Sequence, residues 1–225
     1  MSPCDIIYED NHLLVVNKPA GLLSQPTDRE SNSLETLLKA WLKEKYQKPG
    51  EAFLGIVHRL DKSVSGIVIC AKTSKALSRL NESLRAKDLQ KIYYALVEGS
   101  PPQEKGTLEH FLRHDDYRAY ASLQPQAEAK LARLHYAIIK RFKETSLLEI
   151  TLETGRYHQI RAQCAAVGCP IVGDVKYGSK SSLPGGIIAL HHFRCTFQHP
   201  VTKITLALEA PLSKIFSDLE GISKV

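Results

Sequence analysis

The sequence lacks the short motifs by which several large enzyme classes are recognised. It contains no G-x-x-x-x-G-K-[ST] phosphate loop, no G-x-G-x-x-G fingerprint, no G-x-S-x-G turn and no H-E-x-x-H pair. These absences argue against P-loop nucleotide hydrolysis, dinucleotide-dependent redox chemistry, serine hydrolase chemistry and zinc peptidase chemistry.

Cysteine is scarce and its spacing is not that of a paired framework. The chain has 5 cysteines, and none of them forms the C-x-x-C spacing common in zinc sites. Cys164 and Cys169, near His158, form only a weak metal pattern. We therefore expect reduced thiols, a cytoplasmic location and no bound metal.

Long hydrophobic runs are also missing. No segment approaches the roughly 18 apolar residues of a membrane span, and the first residues show no basic region followed by an apolar stretch. We see no internal repeat or heptad pattern, and we expect no membrane partner. With 225 residues and 43% hydrophobic content, the chain can bury one substantial core or two small lobes that share a sheet, and a single domain is the default.

What the sequence has is an excess of positive charge. It carries 30 Lys and Arg against 24 Asp and Glu, with a net charge of +6, which should attract polyanions such as nucleic acid. Residues 72–91 hold six Lys or Arg against two acids, and residues 130–143 hold five against none. Either run alone is more typical of a solvated surface than of a phosphate-binding track.

Hydrophobic periodicity predicts that the N-terminal half contains a β-hairpin, two helices and a buried strand. Residues 5–23 predict two strands around a turn at Asp10 and Asn11. Leucines at helical spacing predict a helix from Leu34, with Asn32 as the start of a capping box, and a second helix capped by Ser74. Between them, "GIVICAK" predicts a strand buried on both faces.

The C-terminal half is predicted to be richer in strands. "QKIYYALVEG" indicates one strand, and residues 131–153 indicate an antiparallel hairpin turning at Lys143 and Glu144. "TGRYHQIRAQCAAVG" indicates a turn followed by a short helix. Residues 173–186 indicate a polar loop, and two further strands are predicted between this loop and the C-terminus. We therefore predict an α+β fold with a central mixed or mostly antiparallel sheet, flanked by helices and loops around a catalytic cleft.

One carboxylate stands out because of its neighbours. In "VHRLDKSVSG", Asp61 lies between Arg59 and Lys62, and nearby cations favour its ionised form. An ionised Asp suits attack on an electrophilic carbon, although an Asp paired with its neighbours at the start of a strand is the simpler interpretation.

Two further segments offer partners for such a carboxylate. In "TGRYHQIR", a helix beginning near Tyr157 would place His158 and Arg161 on one face, and the fork of Arg161 is suited to hold Asp61. An ordinary helix end explains the same spacing. In "KIYYAL", Tyr93 and Tyr94 alternate along a strand, so one ring can face a site and stack on an unpaired base while the other packs in the core.

Seven strings together give a specific resemblance over nearly the whole chain. "NKPAGL", "HRLDKSVSG", "KIYYALV", "TGRYHQIRAQ", "GCPIVGDVKYG", "LHH" and a late "HP" follow one another in order. The chain thereby closely resembles the RluA-type pseudouridine synthases, whose signature is H-R-L-D-x-x-T-S-G. The resemblance implies an isomerase that acts on uridine in ribosomal or transfer RNA by breaking the N1–C1′ bond and rejoining the base through C5, without metal or cofactor.

The resemblance also implies roles for individual residues. Asp61 would be the essential carboxylate, either adding to C1′ or assisting a glycal-like intermediate, and Tyr93 would stack on the uracil and act in proton transfer at C5. Arg161 would pair with Asp61. The substrate-binding positions would be Arg59, which fills the space of the flipped nucleotide, Ile160, which lines the base pocket, and His58 and Lys62 beside the carboxylate.

Some positions depart from the family pattern, and two other functions remain open. Val64 stands where Thr is usual, Gln163 where His is common, and Cys169 where an aromatic or His often precedes Pro. We expect a monomeric single catalytic domain over residues 1–225, without an S4 module. The alternatives are a catalytically inactive RNA-binding or RNA-folding protein, and a glycosidase with Asp174 as second carboxylate.

Overall fold

The computed structural model describes residues 2–217, which form two compact units. The first unit contains residues up to Leu89 and those from His192 onward, and the second contains Gln90–His191. Mixed strands and few helices confirm the predicted α+β class, while the expectation of a single catalytic domain stays a prediction. Among the described residues, no helix has the length and apolar character needed to cross a membrane.

The first unit is a largely antiparallel sheet with helices. Its strands are β1 (Asp5–Glu9), β2 (Leu13–Lys18), β3 (Gly55–Ile56), β4 (Ser65–Ala71), β10 (Leu190–Gln198, from His192 onward) and β11 (Thr205–Glu209). They are ordered β1-β2-β4-β10, with β3 added to β4 and β11 to β10. Its helices are α1 (Leu34–Lys45), α2 (Ser74–Ala86) and the short α4 (Lys214–Ser217).

Both predicted helix caps were wrong by one residue. The side chain of Ser33, not Asn32, accepts from the Thr36 N–H at the start of α1. In α2 the cap is Thr73, whose side chain accepts from the Ala76 N–H. In both cases the cap has extended backbone angles and lies just before the first helical residue, a position that sequence pattern places only to within a residue or two.

Strand β4 lies in the centre of the first unit, as its uninterrupted apolar sequence predicted. All seven residues are buried. Glycine is required at Gly66, where φ is +116° and an added Cβ would lie 2.4 Å from the carbonyl oxygen of His192. The ring of His192 in turn lies 2.8 Å, through Nδ1, from the carbonyl oxygen of Ile67. The backbones therefore approach each other too closely for any side chain.

Gly66→Ala is expected to lower the free energy of unfolding by about 2–3 kcal/mol, because the new methyl group meets backbone atoms and the positive φ is strained. Gly50→Ala is the matched control, since a Cβ at Gly50 has no atom within 4 Å, and a change within about 0.5 kcal/mol is expected there. Urea denaturation measures both. Equal stability of the two variants would contradict the close approach at Gly66.

The second unit is built on an antiparallel sheet. Its strands are β5 (Gln90–Glu98), β6 (Lys105–His114), β7 (Ala119–Ser122), β8 (Lys130–Arg141) and β9 (Thr145–Leu152), and their order in the sheet is β5-β9-β8-β6-β7. Helix α3 (Gln159–Ala166) follows, and two single turns of 3₁₀-helix lie in the polar loop, at Val175–Tyr177 and Pro184–Gly186.

The predicted hairpin of β8 and β9 is confirmed, but the hairpin of β6 and β7 was missed. Strand β6 reads "KGTLEHFLRH", and only two of its ten residues are buried. Because charged and apolar residues are interspersed along it, the sequence has no clear period of two. Its pairing with β8 over eight register positions, from Lys105–Ala137 to Leu112–Lys130, determines the strand instead.

Candidate active site

Asp61 lies in the loop between β3 and β4, and this loop is held by the segment that follows β2. The hydroxyl of Ser24 donates to the carbonyl of Leu60 at 2.8 Å and accepts from its N–H at 3.0 Å. The N–H of Gly21 donates to the carbonyl of Lys62 at 2.7 Å. The backbone on both sides of Asp61 is therefore fixed, and its half-buried carboxylate has a defined position.

Lys18, in the "NKPAGL" string, is buried beside Asp61. Its ammonium donates to the carbonyl oxygens of Pro19 and Leu22, at 2.9 and 2.7 Å. Burial lowers the pKa of Lys18 from 10.5 to about 8, and the negative charge of Asp61 partly offsets this shift. Lys18 thus places a buried ammonium within electrostatic reach of Asp61, and the sequence motifs assigned it no role.

The other predicted residues of this loop differ in exposure and contacts. Arg59 and Lys62 are exposed, and Lys62 pairs with Glu30 at 2.6 Å. His58 is half-buried, its Nε2 accepts from the N–H of Ile69 at 3.4 Å, and its ring lies 5.3 Å from that of His192. Arg59 and Lys62 are placed to reach a polyanion, whereas His58 has packing contacts within the unit.

The second unit holds Arg161 in a buried ion pair with Asp174. The guanidinium of Arg161 donates from Nε and Nη2 to the two carboxylate oxygens of Asp174, at 2.6 and 2.8 Å. The side chains are only 8% and 1% exposed. A planar guanidinium matches a carboxylate in this two-point geometry. The pairing of Arg161 with Asp61 stays a prediction, and this use of Asp174 argues against its role as the acid of a glycosidase.

His158 connects Arg161 to Tyr177. Helix α3 begins at Gln159, two residues after the predicted start, and His158 precedes it with a left-handed φ of +50°. The Nη1 atom of Arg161 lies 2.8 Å from Nε2 of His158, and the hydroxyl of Tyr177 lies 2.9 Å from Nδ1 of His158. Because Arg161 can only donate, Nε2 must accept, so the proton of a neutral His158 is on Nδ1 and points to Tyr177.

The hydroxyl of Tyr177 also accepts from the N–H of Ala119 at 2.8 Å. Burial raises the pKa of Tyr177 to about 12, so the phenol stays neutral in the physiological range. The guanidinium carbon of Arg161 lies 5.0 Å from the centre of this ring. Arg161 is therefore positioned by Asp174, His158 and Tyr177 together.

The remaining predicted residues of the second unit are buried. Tyr93 and Tyr94 are 6% and 4% exposed, and in the pairing of β5 with β9 they face Ile150 and Glu149. Ile160 is 5% exposed in the first turn of α3. The proposed roles of Tyr93 and Ile160 at the uracil stay predictions.

One departure from the family pattern has a clear structural role. Gln163 is fully buried, and its amide nitrogen donates to the carbonyl oxygens of Leu108 and Ala132, at 2.9 and 3.2 Å. It thereby fastens α3 to strands β6 and β8. Val64 and Cys169 are buried too. Within residues 2–217, no cluster of three His, Cys, Asp or Glu side chains is arranged to hold a metal ion.

Comparison with known proteins identifies the family of the chain. Residues 12–166 match the profile of a family described as RNA pseudouridylate synthase. The chain belongs to this family. It is therefore an enzyme that isomerises uridine in RNA to pseudouridine, as the motifs implied. The matched range contains every predicted site residue, from His58 to Arg161.

Relatives from bacteria match nearly the whole chain. An RNA pseudouridine synthase of Synechocystis is 36% identical over 96% of this chain and 68% of its own length. The ribosomal large subunit pseudouridine synthase D of Yersinia pestis is 34% identical over 96% of this chain and 70% of its own length.

A solved structure confirms the fold. Human RNA pseudouridylate synthase domain containing 4 superposes with a TM-score of 0.79 at 23% identity, covering 95% of this chain and 90% of the other. The chain therefore has both the sequence motifs and the fold of this family.

Proposed function

We propose that this enzyme modifies uridine in the RNA of the large ribosomal subunit, with Asp61 as the essential carboxylate. The observation that supports this substrate is the similarity to relatives named ribosomal large subunit pseudouridine synthase D, such as that of Yersinia pestis, over 96% of the chain. The net charge of +6 suits a large, folded polyanion.

In the proposed reaction Asp61 acts at C1′ of the ribose. The N1–C1′ bond breaks with its electron pair going to N1, the uracil rotates, and the C5–C1′ bond forms. C5 then loses its proton to solvent and N1 takes up a proton, so that the product is an isomer of the substrate. An ionised carboxylate is needed for attack at C1′, and Lys18 places a buried ammonium near this carboxylate. Arg59, exposed on the same loop, takes the place of the nucleotide that leaves the stack.

The second unit supplies the groups that hold the base and the carboxylate. Tyr93 stacks on the uracil and acts in proton transfer at C5, and Ile160 lines the base pocket. Arg161, already oriented by Asp174, pairs with Asp61. These roles rest on the match of each residue to the family motifs. His58 and Lys62 complete the substrate-binding set.

The proposal also covers the location and the oligomeric state of the protein. All 5 cysteines are free thiols, which suits the cytoplasm. The expectation of a monomer stays part of the proposal.

The substrate is tested with RNA labelled with tritium at uracil C5. Purified protein is incubated separately with a large-subunit ribosomal RNA transcript and with transfer RNA, both labelled to the same specific activity. We expect tritium release from the ribosomal transcript, and chemical mapping should then identify pseudouridine at discrete positions. Release from transfer RNA alone would contradict the proposed substrate, and release from neither would contradict the proposed activity.

A further inference from the structure

An exposed group of tyrosines and cations lies on the second unit, beside the network that holds Arg161. We call it the tyrosine surface, and it consists of Arg113, Tyr117, Arg118, Tyr120, Tyr157 and Lys176. The three tyrosines are 74%, 45% and 42% exposed, in chain order. Among residues 2–217, only one other tyrosine, Tyr46, is comparably exposed. So many exposed rings on one surface call for an explanation, because isolated exposed apolar groups are usual but clusters of them are not.

Each ring of the tyrosine surface has a cation or an imidazole against it. The ammonium of Lys176 lies 4.0 Å from the centre of the Tyr117 ring. The guanidinium carbons of Arg113 and Arg118 lie 5.7 and 5.8 Å from the centre of Tyr120. These contacts orient the rings while leaving much of their area open to solvent.

Tyr157 belongs to a stack that leads towards Arg161. Its ring lies 3.9 Å from the ring of His158 with only 19° between the planes, and 5.3 Å from the ring of His114. His158 contacts Arg161 directly. The tyrosine surface is therefore continuous with the predicted catalytic arginine.

The hairpin turn that carries Tyr117 is held in shape by Asp115. Its carboxylate accepts from the N–H groups of Tyr117 and Arg118, at 2.8 and 2.7 Å, and from the Tyr120 hydroxyl at 3.0 Å. Asp116 adds a second negative charge at the turn, so the local charge is a small excess of cations. A weak electrostatic excess together with open aromatic faces favours a ligand that offers flat rings as well as phosphates.

Arg118 adds a donor whose hydrogen-bonding capacity is unused. Its Nε is buried, and no described residue accepts from it. Its guanidinium carbon also lies 4.8 Å from the centre of the Tyr177 ring, so the group is bounded by two tyrosines. A buried donor without an acceptor is destabilising, and a planar guanidinium is suited to bind a phosphate.

We propose that the tyrosine surface binds unpaired nucleotides of the RNA and thereby determines which uridine is presented to the enzyme. This inference rests on the proposed function, since it names how that substrate is selected. Unpaired bases expose both faces and stack on aromatic side chains, whereas bases within a duplex are already covered by their neighbours. The cations of the surface contact the phosphates between the stacked bases.

The test is direct binding by fluorescence anisotropy, with two probes of equal length. One is a labelled oligouridylate of about 12 nucleotides, and the other is an RNA duplex of the same length. Tyr117→Ala is expected to weaken binding of the single strand about tenfold and to leave duplex binding unchanged, because one stacking partner is lost. Equal weakening with both probes, or no weakening with either, would overturn the proposal, as would failure of the wild-type protein to bind the single strand.

Two control variants separate stacking from general effects. Tyr117→Phe keeps the ring and is expected to bind the single strand like the wild type. Leu123→Ala removes an apolar side chain that is 75% exposed in the same unit, and it too should bind normally. Because Tyr117 is exposed, these substitutions should leave the melting temperature unchanged, which circular dichroism checks.

The binding assay does not depend on catalysis, so the two proposals fail separately. Tritium release by the wild type with unchanged oligouridylate binding by Tyr117→Ala would refute the tyrosine surface alone. Selective loss of single-strand binding in Tyr117→Ala, with no tritium release by the wild type, would refute the substrate proposal and leave the tyrosine surface standing.

Discussion

Asp61→Asn is expected to abolish tritium release from C5-labelled RNA, with a loss of at least about 10³-fold in kcat. The amide has nearly the shape of the carboxylate but carries no negative charge, so it neither adds to C1′ nor stabilises a glycal-like intermediate. RNA binding should be retained or strengthened slightly, because the change removes a negative charge from a surface that meets phosphates. Single-turnover tritium release and filter binding measure the two properties.

Asp88→Asn is the matched control for this experiment. Asp88 is exposed, belongs to the same unit, and lies outside the predicted site. Its replacement makes the same change of charge and should leave tritium release intact. Persistent tritium release by Asp61→Asn would contradict the catalytic role of Asp61, because the reaction would then not require its negative charge.

Breaking the pair of Arg161 and Asp174 is expected to have the largest effect on stability. Asp174→Leu leaves a buried guanidinium without its carboxylate, and Arg161→Met leaves a buried carboxylate, so each should lower the free energy of unfolding by about 3–5 kcal/mol. The double variant should recover much of that loss, because two apolar side chains replace two buried charges. Denaturant titration of the four proteins gives the coupling between the residues.

The pair of Arg194 and Glu209 provides a control with the same Nε–O distance, a single hydrogen bond and greater exposure. Its Nε–Oε1 distance is 2.6 Å, the same as the Nε–Oδ2 distance between Arg161 and Asp174, but its side chains are 36% and 52% exposed. Glu209→Ala should cost only about 0–1 kcal/mol, because water already solvates both partners. A similar cost at the two sites would contradict the role of burial.

The same set of variants separates stability from catalysis. If Arg161 pairs with Asp61 during the reaction, the double variant should be stable yet inactive, because it lacks the guanidinium. Tritium release at the wild-type rate by the double variant would show that the arginine serves the fold alone.

Local sequence was sufficient where the pattern was strong. The apolar run of β4, the hairpin of β8 and β9 and the strands at the N-terminus were predicted because a period of two, or a continuous apolar run, is visible without knowledge of the partner strand. The hairpin of β6 and β7 was missed because its residues acquire their alternation only from the strands and helix that contact them.

In the candidate site, too, the motifs were visible in the sequence and the side-chain contacts were not. Its motifs could be found because each string combines rare residue types in a fixed order, so the carboxylate, the arginine and the family were all accessible from sequence. The contacts of these residues were not. Asp174 lies 13 positions after Arg161, and the bond between them depends on the left-handed turn at His158 and on the loop that follows α3.

The sequence by itself therefore determined the family with its reaction class and the α+β character, and it predicted which residues carry the chemistry, because these follow from local patterns and ordered motifs. Only the tertiary structure decided that Lys18 is buried near Asp61, that Asp174 holds Arg161, and that exposed tyrosines gather beside His158. Burial and side-chain pairing join residues distant in the chain, and they depend on backbone angles and packing that no short string of residues contains.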